Sequence, residues 1–273
     1  MSSRGKKLLH SHHGKNFLEV VDQEHYRSLY FKDAVVQSRI ALKDPGRLVL
    51  RYTHYMMAAS LLAYPRPTRI LLIGVGAGAL LHFIHRYLPA CRVDAVDYSR
   101  HIIQVARTFF AVPENDNITI HCEDGLRYLQ KLGKEPRFDL ILLDAFNSTG
   151  MAGNIYSSEF FKLARERVSE NGVLCGNLWS GNHDIYNGVK KAILKHCESS
   201  LFIPVRKREN VITLLFHCPV PWKSICPPAA DLRTLGEKYN LNFAEVSAAA
   251  EKSNMRLAER LQHWFKGTDY RGR

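Results

Sequence analysis

The sequence predicts an α/β protein in which a mostly parallel sheet, covered by helices, follows a small antiparallel unit. From residue 68 onward, nearly continuous apolar strands alternate with helical stretches, a pattern typical of parallel strands buried on both faces. The last two strands, 201–207 and 210–218, are joined too closely for a helical crossover and must pair antiparallel. Before residue 47, short β-prone runs occur without any helix.

Each element follows from a local pattern of apolar, turn and helix-stopping residues. The β-prone runs at the start cover 16–22, 26–32 and 35–39. A helix over 47–63 stops before Pro65 and Pro67, which cannot continue it. The parallel strands are expected over 68–74, 91–97, 117–124, 138–146 and 172–179. The helices between and after them are expected over 78–88, 100–110, 125–132, 158–169, 184–198 and 228–265.

These elements predict four regions along the chain. Residues 1–15 are expected to be a disordered basic tail, and 16–46 a small β-domain. Residues 47–227 are expected to form a Rossmann-like domain with a seven-stranded sheet, followed by a helical extension over 228–273. An antiparallel hairpin at the end of such a sheet is typical of methyltransferase-type domains and disfavours a dehydrogenase.

Composition and charge exclude several classes of protein. The chain is 46% hydrophobic, yet it has no apolar run long enough to span a membrane and no signal peptide, so we expect a soluble cytoplasmic protein without a membrane partner. The six cysteines form no CxxC pair, and His82 and His85, three apart on a helix, lack further ligands, so no metal is expected. Much of the net charge of +12 lies at the two ends, where it can weakly hold nucleic acid, although basic ends more often serve solubility.

A glycine-rich turn predicts where a nucleotide lies. Gly74, Gly76 and Gly78 follow the first parallel strand directly and open a helix, where backbone amides can approach a ligand closely. Asp97 ends the next strand, 23 residues after Gly74, and there a carboxylate can accept hydrogen bonds from ribose hydroxyls. The turn alone is a weak signal, and the position of Asp97 strengthens it.

Two further acids occur at the same edge of the predicted sheet. Asp124, followed by Gly125, comes just after the third strand and is placed to accept a hydrogen bond from the exocyclic amine of adenine, to cap the next helix, or to do both. Asp144 ends the fourth strand after a run of apolar residues. Ligands collect at the carboxyl ends of parallel strands, so the sequence predicts one site that contains both acids.

These motifs, in this order, resemble the spermidine synthase family. The matching segments are VVQ at 35–37, Tyr52, LLIGVGAG, AVD, EDG and FDLILLDAFNSTG followed by EFF and NGVL, within residues 20–218. The resemblance implies a homodimer that uses S-adenosylmethionine or its decarboxylated form as co-substrate and an amine as acceptor. It also implies that Gln37 contacts the tail of the co-substrate, Tyr52 lines the amine pocket, Asp97 binds ribose and Asp124 holds adenine.

The sequence also departs from that family at two positions. The acid of the family's GGGDG turn corresponds to Ala77, and the second acid of its DSSDP-like segment corresponds to Asn147. An amine nitrogen must lose a proton before it attacks carbon, so we expect Asp144 to act as base, with Tyr52 or Tyr156 positioning the nitrogen. Because Ala77 and Asn147 can neither hold a cation nor accept a proton, spermidine formation itself is in doubt.

Three functions remain open at this stage. The first is a spermidine synthase-like transferase that moves an aminopropyl or a methyl group to an amine. The second is an S-adenosylmethionine-dependent methyltransferase of a small molecule or a protein, since methyl transfer can proceed by in-line positioning without a dedicated base. The third is a non-catalytic nucleotide- or RNA-binding protein.

The position of Phe146 also has two interpretations. Phe146 is either a wall of the pocket or a core aromatic residue.

Overall fold

The computed structural model describes residues 5–13, 16–31, 35–133, 135, 137–147, 150–197 and 199–255. The chain opens with an antiparallel sheet in which each strand pairs with the next one. Its strands are β1 (Lys6–His13), β2 (Asn16–Gln23), β3 (Tyr26–Phe31) and β4 (Val35–Ala41).

The first strand corrects the expectation of a disordered tail over 1–15. Leu8 and Leu9 of β1 pack against the main hydrophobic core. On the same strand, Lys7 Nζ lies 2.6 Å from Oε1 of the buried Glu19 on β2. Apolar packing and this ion pair stabilise a strand that its basic composition did not indicate. Residues 1–4, 14 and 15 of the predicted tail lie outside the described part of the chain.

The main domain contains a seven-stranded sheet with the order β12-β13-β11-β8-β5-β6-β7. Only β13 runs antiparallel to its neighbours, and all other pairings in this sheet are parallel. The strands, together with the short ribbon β9-β10, are β5 (Arg69–Ile73), β6 (Arg92–Asp97), β7 (Ile118–Cys122), β8 (Phe138–Leu143), β9 (Phe146–Asn147), β10 (Gly150–Met151), β11 (Val168–Trp179), β12 (Ser200–Pro204) and β13 (Asn210–Phe216). The predicted fold class is confirmed.

Helices cover both faces of this sheet, which explains why its central strands are apolar throughout. They are α1 (Arg51–Ala63), α2 (Ala79–Tyr87), α3 (Arg100–Phe110), α4 (Gly125–Lys131), α5 (Ser158–Arg167), α6 (His183–Leu194), α7 (Trp222–Ile225), α8 (Ala229–Tyr239) and α9 (Phe243–Asn254). Residues 140–143 of β8 are completely buried between the two layers. Such a strand loses water from both faces on folding and contributes strongly to stability.

Short polar side chains begin several of these helices where the sequence predicted a start. Ser99 caps α3, Asp124 caps α4 and Asn182 caps α6, each accepting a hydrogen bond from a backbone N–H in the first turn. The helix expected over 47–63 begins four residues late, because Leu48 forms a bridge with Ile40 of the N-terminal sheet. The chain therefore enters α1 from an extended segment beside that sheet.

The helical stretch expected over 228–265 is confirmed as far as α8 and α9. Asn240, in the left-handed region at φ 53°, ends α8, and the side chain of Asn242 caps α9. Residues 256–265 of that prediction lie outside the described part of the chain. No helix among the described residues combines the length and the apolar character that crossing a membrane requires.

Candidate active site

A cleft of about 940 Å³ lies along the carboxyl edge of the parallel strands. One wall is β4 of the N-terminal sheet, and the start of α1 adjoins it. The opposite wall consists of the turn after β5 and the ends of β6, β8 and β11, with the turn before β13 at one end. The cleft thus occupies the edge at which ligands of open α/β sheets bind.

The glycine turn shapes the wall next to β5. Gly74 has a φ of +96°, and a Cβ atom there would lie 2.1 Å from the carbonyl oxygen of Asp144, so no other residue fits. Gly74 and Gly76 both line the cleft. Gly78, predicted to bind the co-substrate, is instead the N-cap of α2, packed so that a Cβ would lie 2.6 Å from Val112. It belongs to the turn and not to the wall.

Asp97 lies at the tip of β6, behind the glycine turn. Its carboxylate accepts hydrogen bonds from the backbone N–H groups of Val75 (3.0 Å) and Ser99 (2.9 Å). Burial raises the pKa of Asp97, and the backbone N–H groups of Ser99, Val75 and Gly76 partly offset this. The carboxylate lines the cleft in a fixed orientation. Its contact with ribose stays a prediction.

Asp124 performs the capping role that the sequence allowed. Its Oδ1 accepts hydrogen bonds from the backbone N–H groups of Leu126 and Arg127, both at 3.0 Å, and its Oδ2 accepts one from Nδ2 of Asn154 at 2.6 Å. Asp124 and Gly125 also line the cleft. The cap is therefore established, while the contact with adenine stays a prediction.

Asp144 is the centre of a partly buried polar network at the floor of the cleft. Its Oδ2 accepts a hydrogen bond from the hydroxyl of Tyr52 (3.1 Å), and its Oδ1 accepts one from Nδ2 of Asn177 (2.9 Å). Asn210 donates in turn to Oδ1 of Asn177 (3.0 Å), which fixes the orientation of that amide. Burial raises the pKa of Asp144, and the hydrogen bonds from Asn177 and Tyr52 lower it again in part.

Tyr52 and Gln37 both line the cleft, and their predicted contacts with the amine and with the tail of the co-substrate stay predictions. The Tyr52 hydroxyl is 3.4 Å from the carbonyl oxygen of Gln37 and so joins the two walls of the cleft. Burial raises the pKa of Tyr52 well above its ordinary value, and the nearby Asp144 carboxylate raises it further. The hydroxyl therefore stays protonated and acts as a hydrogen-bond donor.

Tyr156 does not lie in the cleft wall. Its hydroxyl donates to the carbonyl oxygen of Asn177 at 2.8 Å, and the side chain is buried. The structure thus gives it a supporting position beneath the site, in place of the expected contact with the acceptor nitrogen. Phe146, whose ring centroid is 6.3 Å from that of Tyr156, does line the cleft, so of its two interpretations the structure favours the pocket wall.

The two departures from the family pattern differ in what the structure says about them. Ala77 is completely buried within the glycine turn and places no polar group toward the cleft. The side chain of Asn147 lies outside what the structure describes. Within the described ranges, no three His, Cys, Asp or Glu side chains converge as a metal site would require, and His82 Nε2 lies 2.8 Å from the carbonyl oxygen of Phe110.

Sequence reasoning missed the residues at the far end of the cleft. Asn177, Trp179, Glu209 and Asn210 all line it, and the Trp179 indole N–H donates to the Glu209 carboxylate at 2.8 Å. Asn177 carried one available signal, because it is a polar residue inside a buried apolar strand. Glu209 and Asn210 carried none, since their place depends on how β13 pairs with β11.

Comparison with known proteins identifies the family. The family model "Spermine/spermidine synthase domain" matches residues 49–204, more than half of the chain. The chain belongs to the spermine/spermidine synthase family. The expectation of a spermidine synthase-like transferase is thereby confirmed at the level of the family.

The chain is also similar to individual proteins, among them the following three. The polyamine aminopropyltransferase of Chromobacterium violaceum is 29% identical over 248 residues, which cover 89% of this chain and 93% of the relative. A probable spermidine synthase from Corynebacterium glutamicum shares the fold, with a TM-score of 0.69 at 16% identity, covering 92% of this chain and 95% of that one. The eEF1A lysine and N-terminal methyltransferase of Mus musculus is 35% identical over only 80 residues, 29% of this chain and 12% of the relative.

Proposed function

We propose that the chain is a transferase that moves an alkyl group from an adenosyl sulfonium co-substrate to the nitrogen of an amine. The observation that carries the proposal is the carboxylate of Asp144, oriented by Tyr52 and Asn177 on the floor of the cleft and next to the glycine turn. A base and a nucleotide-sized space are thus combined in one cleft.

The donor half of the cleft fits an adenosyl group. Gly74 and Gly76 leave the backbone of this wall free of side chains, and the carboxylate of Asp97 lies at the same wall. We assign Asp97 to the ribose hydroxyls, Asp124 with Gly125 to adenine, and Gln37 to the tail of the co-substrate. These assignments rest on the lining positions of the four residues and on the family to which the chain belongs.

The acceptor half supplies the proton chemistry. A primary amine is protonated at neutral pH and must lose a proton before its lone pair can bond to carbon. Asp144 accepts that proton, and Tyr52 holds the carboxylate in place. The new C–N bond forms as the C–S bond breaks, and the sulfonium leaves as a neutral thioether. Because burial raises the pKa of Asp144, its carboxylate is a stronger base than an exposed aspartate.

The relative from Chromobacterium violaceum is named a polyamine aminopropyltransferase, which favours transfer of an aminopropyl group from decarboxylated S-adenosylmethionine. Methyl transfer from S-adenosylmethionine is the second candidate. The local match to a methyltransferase of Mus musculus and the uncharged, buried Ala77 favour it. The predicted homodimer and the cytoplasmic location stay predictions.

One experiment tests the proposal and separates the two candidates. The protein is incubated with each co-substrate and a panel of amines, and the nucleoside product is identified by mass spectrometry. Methylthioadenosine indicates aminopropyl transfer, and S-adenosylhomocysteine indicates methyl transfer. If neither product forms and neither co-substrate raises the melting temperature, the proposal is wrong, because a ligand of the folded state must stabilise it. Tight RNA binding in that case would favour a non-catalytic protein.

A further inference from the structure

The turn between β12 and β13, residues 205–209, forms the rim of the cleft at its acceptor end. It is a tight turn, closed by a hydrogen bond from the Val205 N–H to the Asn210 carbonyl (2.9 Å) and one from the Arg208 N–H to the Val205 carbonyl (3.0 Å). Lys207 adopts the left-handed conformation at φ 59°. The turn therefore holds its side chains at the mouth of the cleft in a defined arrangement.

This turn is strongly basic. Arg206, Lys207 and Arg208 are consecutive and exposed, and with Glu209 they leave the turn with a net charge of +2. Arg208 lines the cleft, and its guanidinium forms no hydrogen bond or ion pair with any part of the chain that the structure describes. An uncompensated guanidinium at the mouth of a cleft attracts anions and repels a second ammonium group.

Glu209, in contrast, is held against the end of β11. The Trp179 indole N–H donates to its carboxylate, and the Ser180 N–H and hydroxyl both donate to its carbonyl oxygen at 2.8 Å. The packing is tight enough that a Cβ on Gly181 would lie 2.6 Å from the Glu209 carboxylate. The carboxylate is thus tied to the Trp179 wall, and Arg208 is the charged group that stays available to a ligand.

The other cations of the cleft already have partners. Arg51 lines the cleft near its mouth, and its guanidinium donates to the Glu245 carboxylate at 2.6 Å. Arg39 donates to the Ser28 hydroxyl at 2.7 Å. Arg208 is therefore distinguished from Arg51 and Arg39 by having both a position in the cleft and a free guanidinium.

We propose that the acceptor is an amine that also carries an anionic group, and that Arg208 binds this group while the reacting nitrogen lies at Asp144. The proposal rests on the proposed function and narrows its acceptor. A planar guanidinium can bind a carboxylate or a phosphonate through two parallel hydrogen bonds. The second ammonium group of a simple diamine would instead lie next to the basic turn, which repels it. At position 77 it would have no acidic partner, because the residue is alanine.

The test compares acceptors of similar length that differ in the charge at one end. Putrescine, 4-aminobutyrate and 3-aminopropylphosphonate are titrated into the protein saturated with the thioether product of the co-substrate, and binding is measured by calorimetry. We expect both anionic amines to bind more tightly than putrescine, by about tenfold or more. The carboxylate and phosphonate arms show which anion is preferred.

Two variants test whether Arg208 causes the preference for anionic amines. Arg208→Glu should weaken binding of the anionic amines roughly 10- to 100-fold and strengthen that of putrescine. Arg233→Glu makes the same change of charge on α8, away from the cleft, and should leave all three affinities unchanged. Tighter binding of putrescine by the wild-type protein, or an Arg208→Glu variant with unaltered preference, would overturn the inference.

The two proposals are tested by different measurements, one by turnover and the other by binding. The proposed function stands or falls with the release of a nucleoside product from any amine. The inference about Arg208 stands or falls with the ratio of affinities, which is measured without turnover.

Discussion

Replacing Asp144 with Asn keeps the size of the side chain and removes the proposed base. Loss of a general base lowers a rate by about 10²- to 10⁴-fold, which corresponds to roughly 3 to 5 kcal/mol of transition-state stabilisation. The amide has one acceptor oxygen, whereas the carboxylate serves two donors, Tyr52 at 3.1 Å and Asn177 at 2.9 Å. The NH2 group of the amide replaces one of the two acceptor atoms, so one of these hydrogen bonds is lost or rearranged, at about 1 to 3 kcal/mol in the free energy of unfolding.

The pH dependence of the free energy of unfolding provides a second, independent test of the Asp144→Asn variant. Burial raises the pKa of Asp144 above its ordinary value of 3.8 in the folded protein. The group therefore stabilises the fold fully below that ordinary value, and this contribution is lost as the pH rises through the higher folded pKa. Asn does not titrate, so the free energy of unfolding of Asp144→Asn should increase relative to wild type as the pH rises from about 3 to 8.

The assay measures initial rates of nucleoside release with saturating co-substrate, together with co-substrate affinity by calorimetry and unfolding by denaturant. We expect a kcat lowered at least 100-fold, within the range for a general base, and a co-substrate affinity within about threefold of wild type. Asp139→Asn, at the opposite end of β8 and outside the cleft, is the matched control and should leave kcat unchanged. A kcat of Asp144→Asn close to wild type refutes the role of base, and a parallel loss of co-substrate affinity shows a role in donor binding instead.

Three more substitutions probe other parts of the site and the fold. Gly74→Ala brings a Cβ to 2.1 Å from the Asp144 carbonyl oxygen at a φ of +96°, so it should abolish co-substrate binding and lower the melting temperature; calorimetry and thermal unfolding measure both. Tyr52→Phe removes one hydrogen bond to a charged group, about 1.5 to 3 kcal/mol, and should lower kcat about 10- to 100-fold; unchanged kinetics would contradict the assigned contact. Burial raises the pKa of Asp139, but its hydrogen bonds, those from Thr68 above all, outweigh burial, so the pKa in the folded protein is lowered. Asp139 therefore stabilises the fold above pH 3.8, and this contribution is lost as the pH falls through the folded pKa. Asp139→Asn should therefore flatten the acid limb of a plot of unfolding free energy against pH.

Much of the fold, and the position of several cleft-lining residues, could be predicted because their determinants are local. An apolar strand followed by Gly74, and later strands ending in Asp97 and Asp144, place these residues at one edge without any knowledge of pairing. The same reasoning could not distinguish the positions of two glycines of the turn. Gly74 lines the cleft, whereas Gly78, four residues later, packs against Val112.

The acceptor half could not be predicted because it depends on pairing between distant segments. Asn210 reaches Asn177 only because β13 pairs with β11 in the register that sets Trp179 opposite Asn210. That register follows from packing of both strands in the core, and no local pattern reveals it. The burial of Tyr156 under Asn177 was missed for the same reason, since a tyrosine near a strand end can face either side.

The antiparallel direction of β13 also places the proposed acceptor-binding rim in a different part of the cleft from the proposed nucleoside site. Because β13 begins at the edge where β8 and β11 end, the five residues before it reach the rim without passing near the glycine turn or Asp97. The half proposed to recognise the nucleoside lies mainly at the ends of β5, β6 and β7, and the opposite rim is a single connector. A change confined to this connector would accordingly be a compact route to a new acceptor preference, with the proposed nucleoside half left as it is.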